Sequence, residues 1–174
     1  MRGAFWNCNG FADSKIYRFL SELTKEKKYL DFIALSETGR ASIPCATLNN
    51  ICAGRDFLWH CKAPHGRSGG MLLGINLAFY DVGEIEEGEF YIRFKLRDKE
   101  EDFKFNLVSI YGQAQNEYKD NFLSELVRMC SKETLPIIIG GDFNIIRGPD
   151  EKNNNNYNDK WTFIFNDIID ALNL

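Results

Sequence analysis

The run Leu135-Pro136-Ile137-Ile138-Ile139-Gly140-Gly141-Asp142-Phe143-Asn144 decides how this chain is read. Pro136 opens it, three consecutive isoleucines mark a buried strand, and two glycines lead into a polar tip. In an extended backbone residues two apart share a face, so Asp142 and Asn144 are expected to project together while Phe143 packs away from them. A carboxylate and an amide at the mouth of a core strand suit a phosphate or a water molecule. A Gly-Asp turn that merely closes the strand is the plain structural alternative.

Three further strands end in polar groups. Phe5-Trp6-Asn7-Cys8-Asn9-Gly10 closes a short N-terminal strand, Leu35-Ser36-Glu37-Thr38 closes one expected over residues 29–35, and a strand over 105–110 delivers Tyr111-Gly112. Asn7, Asn9, Glu37, Tyr111, Asp142 and Asn144 thus fall at four strand ends. That is the arrangement of a site at the carboxyl edge of a sheet.

Between the first two strands, Asp13 or Ser14 can cap a helix in which Ile16, Leu20 and Leu23 recur at helical spacing, with Lys25 to Lys28 suited to its C-terminal end. The unit reads as βαβ. Residues 39–54 carry no clear period and read as irregular. Short strands over 57–61 and 71–75 flank the loop Pro64-His65-Gly66-Arg67-Ser68-Gly69-Gly70, whose glycines permit close backbone approach. Phe90, Ile92, Phe94 and Leu96 alternate with polar residues, answered by Phe103, Phe105 and Leu107 across six charged residues, Arg97 to Asp102. That pattern predicts an antiparallel hairpin. Tyr118, Phe122, Leu126 and Met129 predict a helix over 116–130, Asn153 to Asn156 a low-complexity loop, and Trp161, Phe165, Ile168, Ile169 and Leu172 a terminal amphipathic helix.

At 174 residues and 44% hydrophobic content, one domain with a real core is expected. No apolar run approaches the roughly 20 residues of a membrane span, and Met1 lies too close to the first strand for a signal peptide, so an intracellular protein with no membrane partner is expected. The five cysteines show no metal-binding spacing and are expected to be free thiols. A net charge of -4 argues against nucleic-acid binding by bulk electrostatics, although Arg40, Arg55, Lys62, Arg67 and Arg147 fall in loops near the expected site. Glu84, Glu86, Glu87 and Glu89 are expected to sit elsewhere.

The ordered set WNCNG, LSET, GRSGG, IYG and GGDFN, from about Phe5 to Arg147, resembles the endonuclease/exonuclease/phosphatase superfamily. Its wording is most like the endonuclease domain of plant LINE-type (non-LTR) retrotransposons. The resemblance implies a two-sheet α/β sandwich of the deoxyribonuclease-I type and hydrolysis of a phosphodiester in DNA, with magnesium, or manganese, as cofactor. It implies a nuclear location if the substrate is chromosomal. Carried over position by position, Glu37 and Asn9 would hold the metal, Asn7 and Asn144 would hold phosphate oxygens or brace the catalytic groups, Tyr111 would donate to the phosphate, and Asp142 would orient or deprotonate the attacking water.

Ser68 lacks the strand-elbow-helix setting of a serine nucleophile, His60 sits inside an apolar strand, and His65 can at most touch substrate. The superfamily's late Ser-Asp-His motif does not occur in these 174 residues. The expectation is therefore an N-terminal portion of the domain, with the C-terminal part of the second sheet missing and activity in doubt. Two alternatives stand beside the endonuclease: a phosphatase or phospholipid phosphodiesterase of the same superfamily, and a noncatalytic remnant. Oligomeric state is not legible.

Overall fold

The computed structural model describes residues 1–11, 17–22, 30–65, 69–151 and 159–174. Two four-stranded sheets stack face to face with helices on both outer faces. Strands β1 (Gly3–Asn7), β2 (Phe32–Ser36), β3 (Phe57–Lys62) and β4 (Met71–Asn76) form the first sheet in the order β1-β2-β4-β3. Strands β5 (Tyr80–Glu87), β6 (Tyr91–Asp98), β7 (Lys104–Tyr111) and β8 (Ile137–Asp142) form the second in the order β5-β6-β7-β8. In each sheet one edge pair is parallel, β1 with β2 and β7 with β8, and the other pairs are antiparallel. This is the two-sheet α/β sandwich of the deoxyribonuclease-I type.

Alternation along the strands builds three apolar layers. Phe32, Ala34, Leu73, Ile75, Ile92, Phe94, Leu96, Phe105 and Leu107 point inward and fill the space between the sheets. Val108 and Ile110 point outward beneath helices α2 (Lys119–Ser131) and α3 (Asp159–Leu172), meeting Phe122, Leu126, Trp161, Phe165 and Ile169. Ile33, Leu35 and Leu72 face outward on the other side, under Leu20 of the helical residues 17–22 and Leu48 and Ile51 of helix α1 (Cys45–Ile51).

The parallel β1–β2 pair with the helical residues 17–22 between them, the β6–β7 hairpin and the terminal helix follow the sequence pattern, although β2 begins at Phe32 rather than at residue 29; the helix over 116–130 begins with a 3-10 turn at Asn116–Tyr118. Residues 12–16, 23–29, 66–68 and 152–158 lie outside the described residues, and with them the expected Asp13/Ser14 cap, Lys25 to Lys28, Arg67, Ser68 and the asparagine run. Two expectations are corrected. The irregular stretch 39–54 contains α1, seven residues entered through Pro44, which a helix start tolerates. The glutamate-rich segment is β5, an edge strand whose register shifts between Val82 and Ile85, so its period is broken.

β1 and β8 approach each other across the sandwich because Gly140 leaves room for a ring. A Cβ at Gly140 would stand 2.3 Å from the Phe5 ring, and Gly141, at φ +136°, takes a conformation that side chains rarely adopt.

Candidate functional site

Period-two alternation carries three of the candidate side chains inward at one end of the sandwich. On β1, Asn7 lies two residues past Phe5; on β7, Tyr111 lies four past Leu107; on β8, Asp142 lies two past Gly140. Glu37 is different. Alternation past Ile33 and Leu35 would send it to the outer face, but its left-handed φ of 55° breaks the pattern and returns its carboxylate to the site.

The cluster is held by donors shared between two carboxylates. Asn7 Nδ2 donates to Glu37 Oε1 at 2.7 Å and to Asp142 Oδ2 at 2.8 Å. The Tyr111 hydroxyl donates to Glu37 Oε1 at 2.9 Å. Burial first, then the bond to Glu37 and the negative charges of Glu37 and Asp142, push the Tyr111 pKa well above its ordinary value of 10.0, so the hydroxyl keeps its proton and remains a donor. Asn9 joins through its backbone: its N–H donates to Asn7 Oδ1 at 3.1 Å, fixing the amide orientation, while its side chain stands exposed.

Asn144 departs from the extended geometry expected of it. Its φ of 52° turns the chain after β8, its N–H donates to Asp142 Oδ1 at 3.0 Å, and its Nδ2 donates to Gly112 O at 2.9 Å. The Asp side chain reaching the N–H two residues on makes an Asx turn, a local bond that competes with strand continuation. Phe143 packs away, as expected, between Phe122 and Phe165.

Backbone pairing supports the Glu37 loop. Gly10 N–H and Phe11 N–H donate to Glu37 O and Thr38 O, Gly39 N–H donates to Gly69 O, and Thr38 N–H donates to Gly70 O, so Gly69 and Gly70 lie directly against the Glu37 segment. The Cys8 thiol, buried and with its pKa raised chiefly by that burial, donates to Ser36 O at 3.2 Å. Neither Cys8 nor Lys119, whose Nζ donates to Asn144 O, carries a signal in the sequence that sets it apart from an ordinary core thiol or surface lysine.

The basic loop residues do not form one patch. Arg55 precedes β3, whose far end carries Lys62 toward the site, so Arg55 lies at the opposite end, roughly 20 Å away at about 3.3 Å per residue. Arg147 is tied to α3 through Asn166. Glu87 and Glu89, expected elsewhere, come to the site end: Glu87 meets His60 Nε2 at 2.6 Å, Lys62 Nζ donates to Glu89 O at 2.6 Å, and both glutamates line a cavity of about 360 Å³ with Lys62, His65 and Gln113.

Glu37 and Asp142 accept from the same nitrogen, so two negative charges stand close together in a half-buried site, a setting that favours a cation. The Asn7 and Tyr111 donors both land on Glu37 Oε1 and neither takes Oε2. Carboxylate and amide oxygens with room for retained water are the donor set of a magnesium ion. Among the described residues no group of three or more His, Cys, Asp or Glu side chains is placed to hold a metal, so an ion here would rely on Glu37, on amide oxygens and on water.

A family model, that of the endonuclease/exonuclease/phosphatase family, matches residues 4–171. The chain belongs to this family. Solved structures share its fold at low identity. The catalytic domain of human Nocturnin with bound sulfate is 16% identical, with a TM-score of 0.59, over 83% of this chain and 64% of that one. A mannosyl-6-phosphatase of Bacteroides thetaiotaomicron is 13% identical, with a TM-score of 0.57, over 82% and 65%. ANGEL2, a 2',3'-cyclic phosphatase in complex with adenosine-2',3'-vanadate, is 15% identical, with a TM-score of 0.57, over 75% and 44%. This member of the endonuclease/exonuclease/phosphatase family therefore spans less than two thirds of these solved chains. No curated protein matches it significantly by sequence. No helix among the described residues is long and apolar enough to cross a membrane.

Proposed function

We propose that the chain is a divalent-metal-dependent phosphoester hydrolase whose substrate is a small phosphomonoester or cyclic phosphodiester. The observation that carries the reading is the Asn7 amide bridging Glu37 and Asp142, with the Tyr111 hydroxyl on the same carboxylate. Asp142, oriented by Asn7 and by the Asn144 N–H, receives the proton of the attacking water. Tyr111, kept protonated, turns its single O–H from Glu37 to a phosphoryl oxygen as negative charge builds there. Glu37 would hold the magnesium ion, with Asn9 or Asn7 completing the oxygen set. When bound, such an ion offsets phosphate charge and lowers the pKa of water.

Small substrates are favoured by the net charge of -4 and by Glu87 and Glu89 in the cavity at the same end of the sandwich, both of which disfavour a polyanion. A mannosyl-6-phosphatase and a 2',3'-cyclic phosphatase among the similar folds agree with this. The second reading is a DNA endonuclease of retrotransposon type, acting in the nucleus, and the ordered motif set from WNCNG to GGDFN supports it.

The test sets p-nitrophenyl phosphate, adenosine 2',3'-cyclic phosphate and supercoiled plasmid side by side, each with magnesium, with EDTA and with the Asp142→Ala variant. Hydrolysis of a small ester that is lost in both controls supports the first reading. Plasmid nicking alone, lost in both controls, moves the assignment to the endonuclease. A folded chain inactive on all three overturns both and leaves a noncatalytic member of the family.

A further inference from the structure

We propose that Lys119 is a positioning residue of the site, a buried ammonium that fixes the backbone of Asn144 and through it the carboxylate of Asp142. Lys119 is the first residue of α2 and is only 7% exposed. A cation at a helix N-terminus opposes the helix dipole, and burying an ammonium is costly unless it is paired. Its neighbour Asp120 has the charge that this helix end favours.

What Lys119 does at that place is donate from Nζ to Asn144 O at 2.5 Å. Asn144 is tied at three points: its N–H, its side-chain amide and its carbonyl. Its left-handed backbone aims its N–H at Asp142 Oδ1 and its side chain at Gly112 O, and the peptide after it is set by the carbonyl that Lys119 holds. From Asp142 the bonds continue through Asn7 to Glu37 and Tyr111. Without the ammonium, the Asn144 carbonyl would be free to rotate toward water, the Asx turn would open, and Asp142 would lose one of the two donors that orient it. Lys119 thus acts through Asn144, from a helix on the outer face of the second sheet, on a carboxylate that points between the sheets.

The kinetic arm of the test rests on the hydrolase reading above, and the second arm does not. Lys119→Met keeps the aliphatic stem and removes the charge and donor; Lys119→Arg restores both. In K119M, hydrogen exchange at the Asn144 amide, followed by NMR without substrate, should accelerate about 10-fold or more while amides of β6 and β7 keep their protection. With the small ester that wild type turns over, kcat should fall about 10- to 100-fold with KM within about 2-fold, the signature of misplaced groups, and K119R should recover most of the loss. An unchanged Asn144 exchange rate in K119M overturns the proposal. So does a rise in KM at constant kcat, which would make Lys119 a binding residue. Wild type without activity refutes the hydrolase reading and leaves the exchange arm to decide. If K119M does not fold, K119Q, polar but about one bond too short to reach the Asn144 carbonyl, is judged by the same two numbers.

Discussion

Asn7→Asp replaces the amide that ties two carboxylates together by a third carboxylate. In the native site one nitrogen gives hydrogen bonds of 2.7 and 2.8 Å to Glu37 and Asp142. Bonds to charged acceptors contribute about 1.5–3 kcal/mol each, and the half-buried setting argues for the lower end, so their loss costs about 3 kcal/mol. The new oxygens would also face two like charges at near-contact distance. At the effective dielectric of a protein surface this is worth a few kcal/mol, limited by rotation of the new side chain or by uptake of a proton. A total of about 3–5 kcal/mol follows at neutral pH without divalent ions. For a chain of this size that is a fall in Tm of roughly 6–20 °C, at about 2–4 °C per kcal/mol. Circular dichroism melts at pH 7.5 in EDTA measure it, with Asn7→Ala separating lost bonds from added repulsion. Crowded carboxylates in the folded variant bind protons more tightly than in the unfolded chain, so the Asn7→Asp deficit should shrink as pH falls toward 4 and be full above about 6. Magnesium should raise the Tm of Asn7→Asp more than that of wild type, since the ion meets one more carboxylate. Melts of Asn7→Asp that coincide with those of wild type in EDTA would refute the bridging role, and a deficit that equals that of Asn7→Ala at every pH would refute the added repulsion.

Gly140→Ala should destabilise the chain by about 1–3 kcal/mol by overpacking, because the new methyl would stand 2.3 Å from the Phe5 ring; adding Phe5→Leu should recover part of the loss, and urea midpoints decide it. Alkaline pH should unfold the protein early. Burial and nearby carboxylates raise Tyr80 from 10.0 to about 12, burial and Glu133 raise Cys130 from 9.0 to about 11, and Tyr91 and Tyr111 are raised further. These groups are neutral when protonated, and the folded state holds their protons more tightly. Their contribution is full below about pH 9 and is lost as pH rises through 9 to 12. Tyrosinate absorbance should show a late fraction that titrates only on unfolding; all seven tyrosines titrating together near 10 would oppose this.

The sequence by itself determined which strands and helices exist wherever a two-residue or helical period ran uninterrupted. The β6–β7 hairpin, the α3 stripe of Trp161, Phe165 and Ile169, and the outward turn of Phe143 are local patterns, and they are legible because side-chain direction repeats within a few residues. Helix α1 escaped because seven residues with only Leu48 and Ile51 buried make no period. β5 escaped because an edge strand needs only one apolar face and here shifts register midway. The candidate polar residues were likewise legible as strand ends. Their chemistry was not. That one amide nitrogen sits between Glu37 and Asp142, 30 and 135 positions away, depends on β1 and β8 meeting across two stacked sheets at the space left by Gly140. The reversal of Glu37 by a positive φ, the Asx turn that draws Asn144 from the face predicted for it, and the burial of Lys119 beneath that turn are likewise set by contacts between distant segments. Alternation fixes where a side chain points along its own strand; only packing of sheet on sheet fixes what it meets.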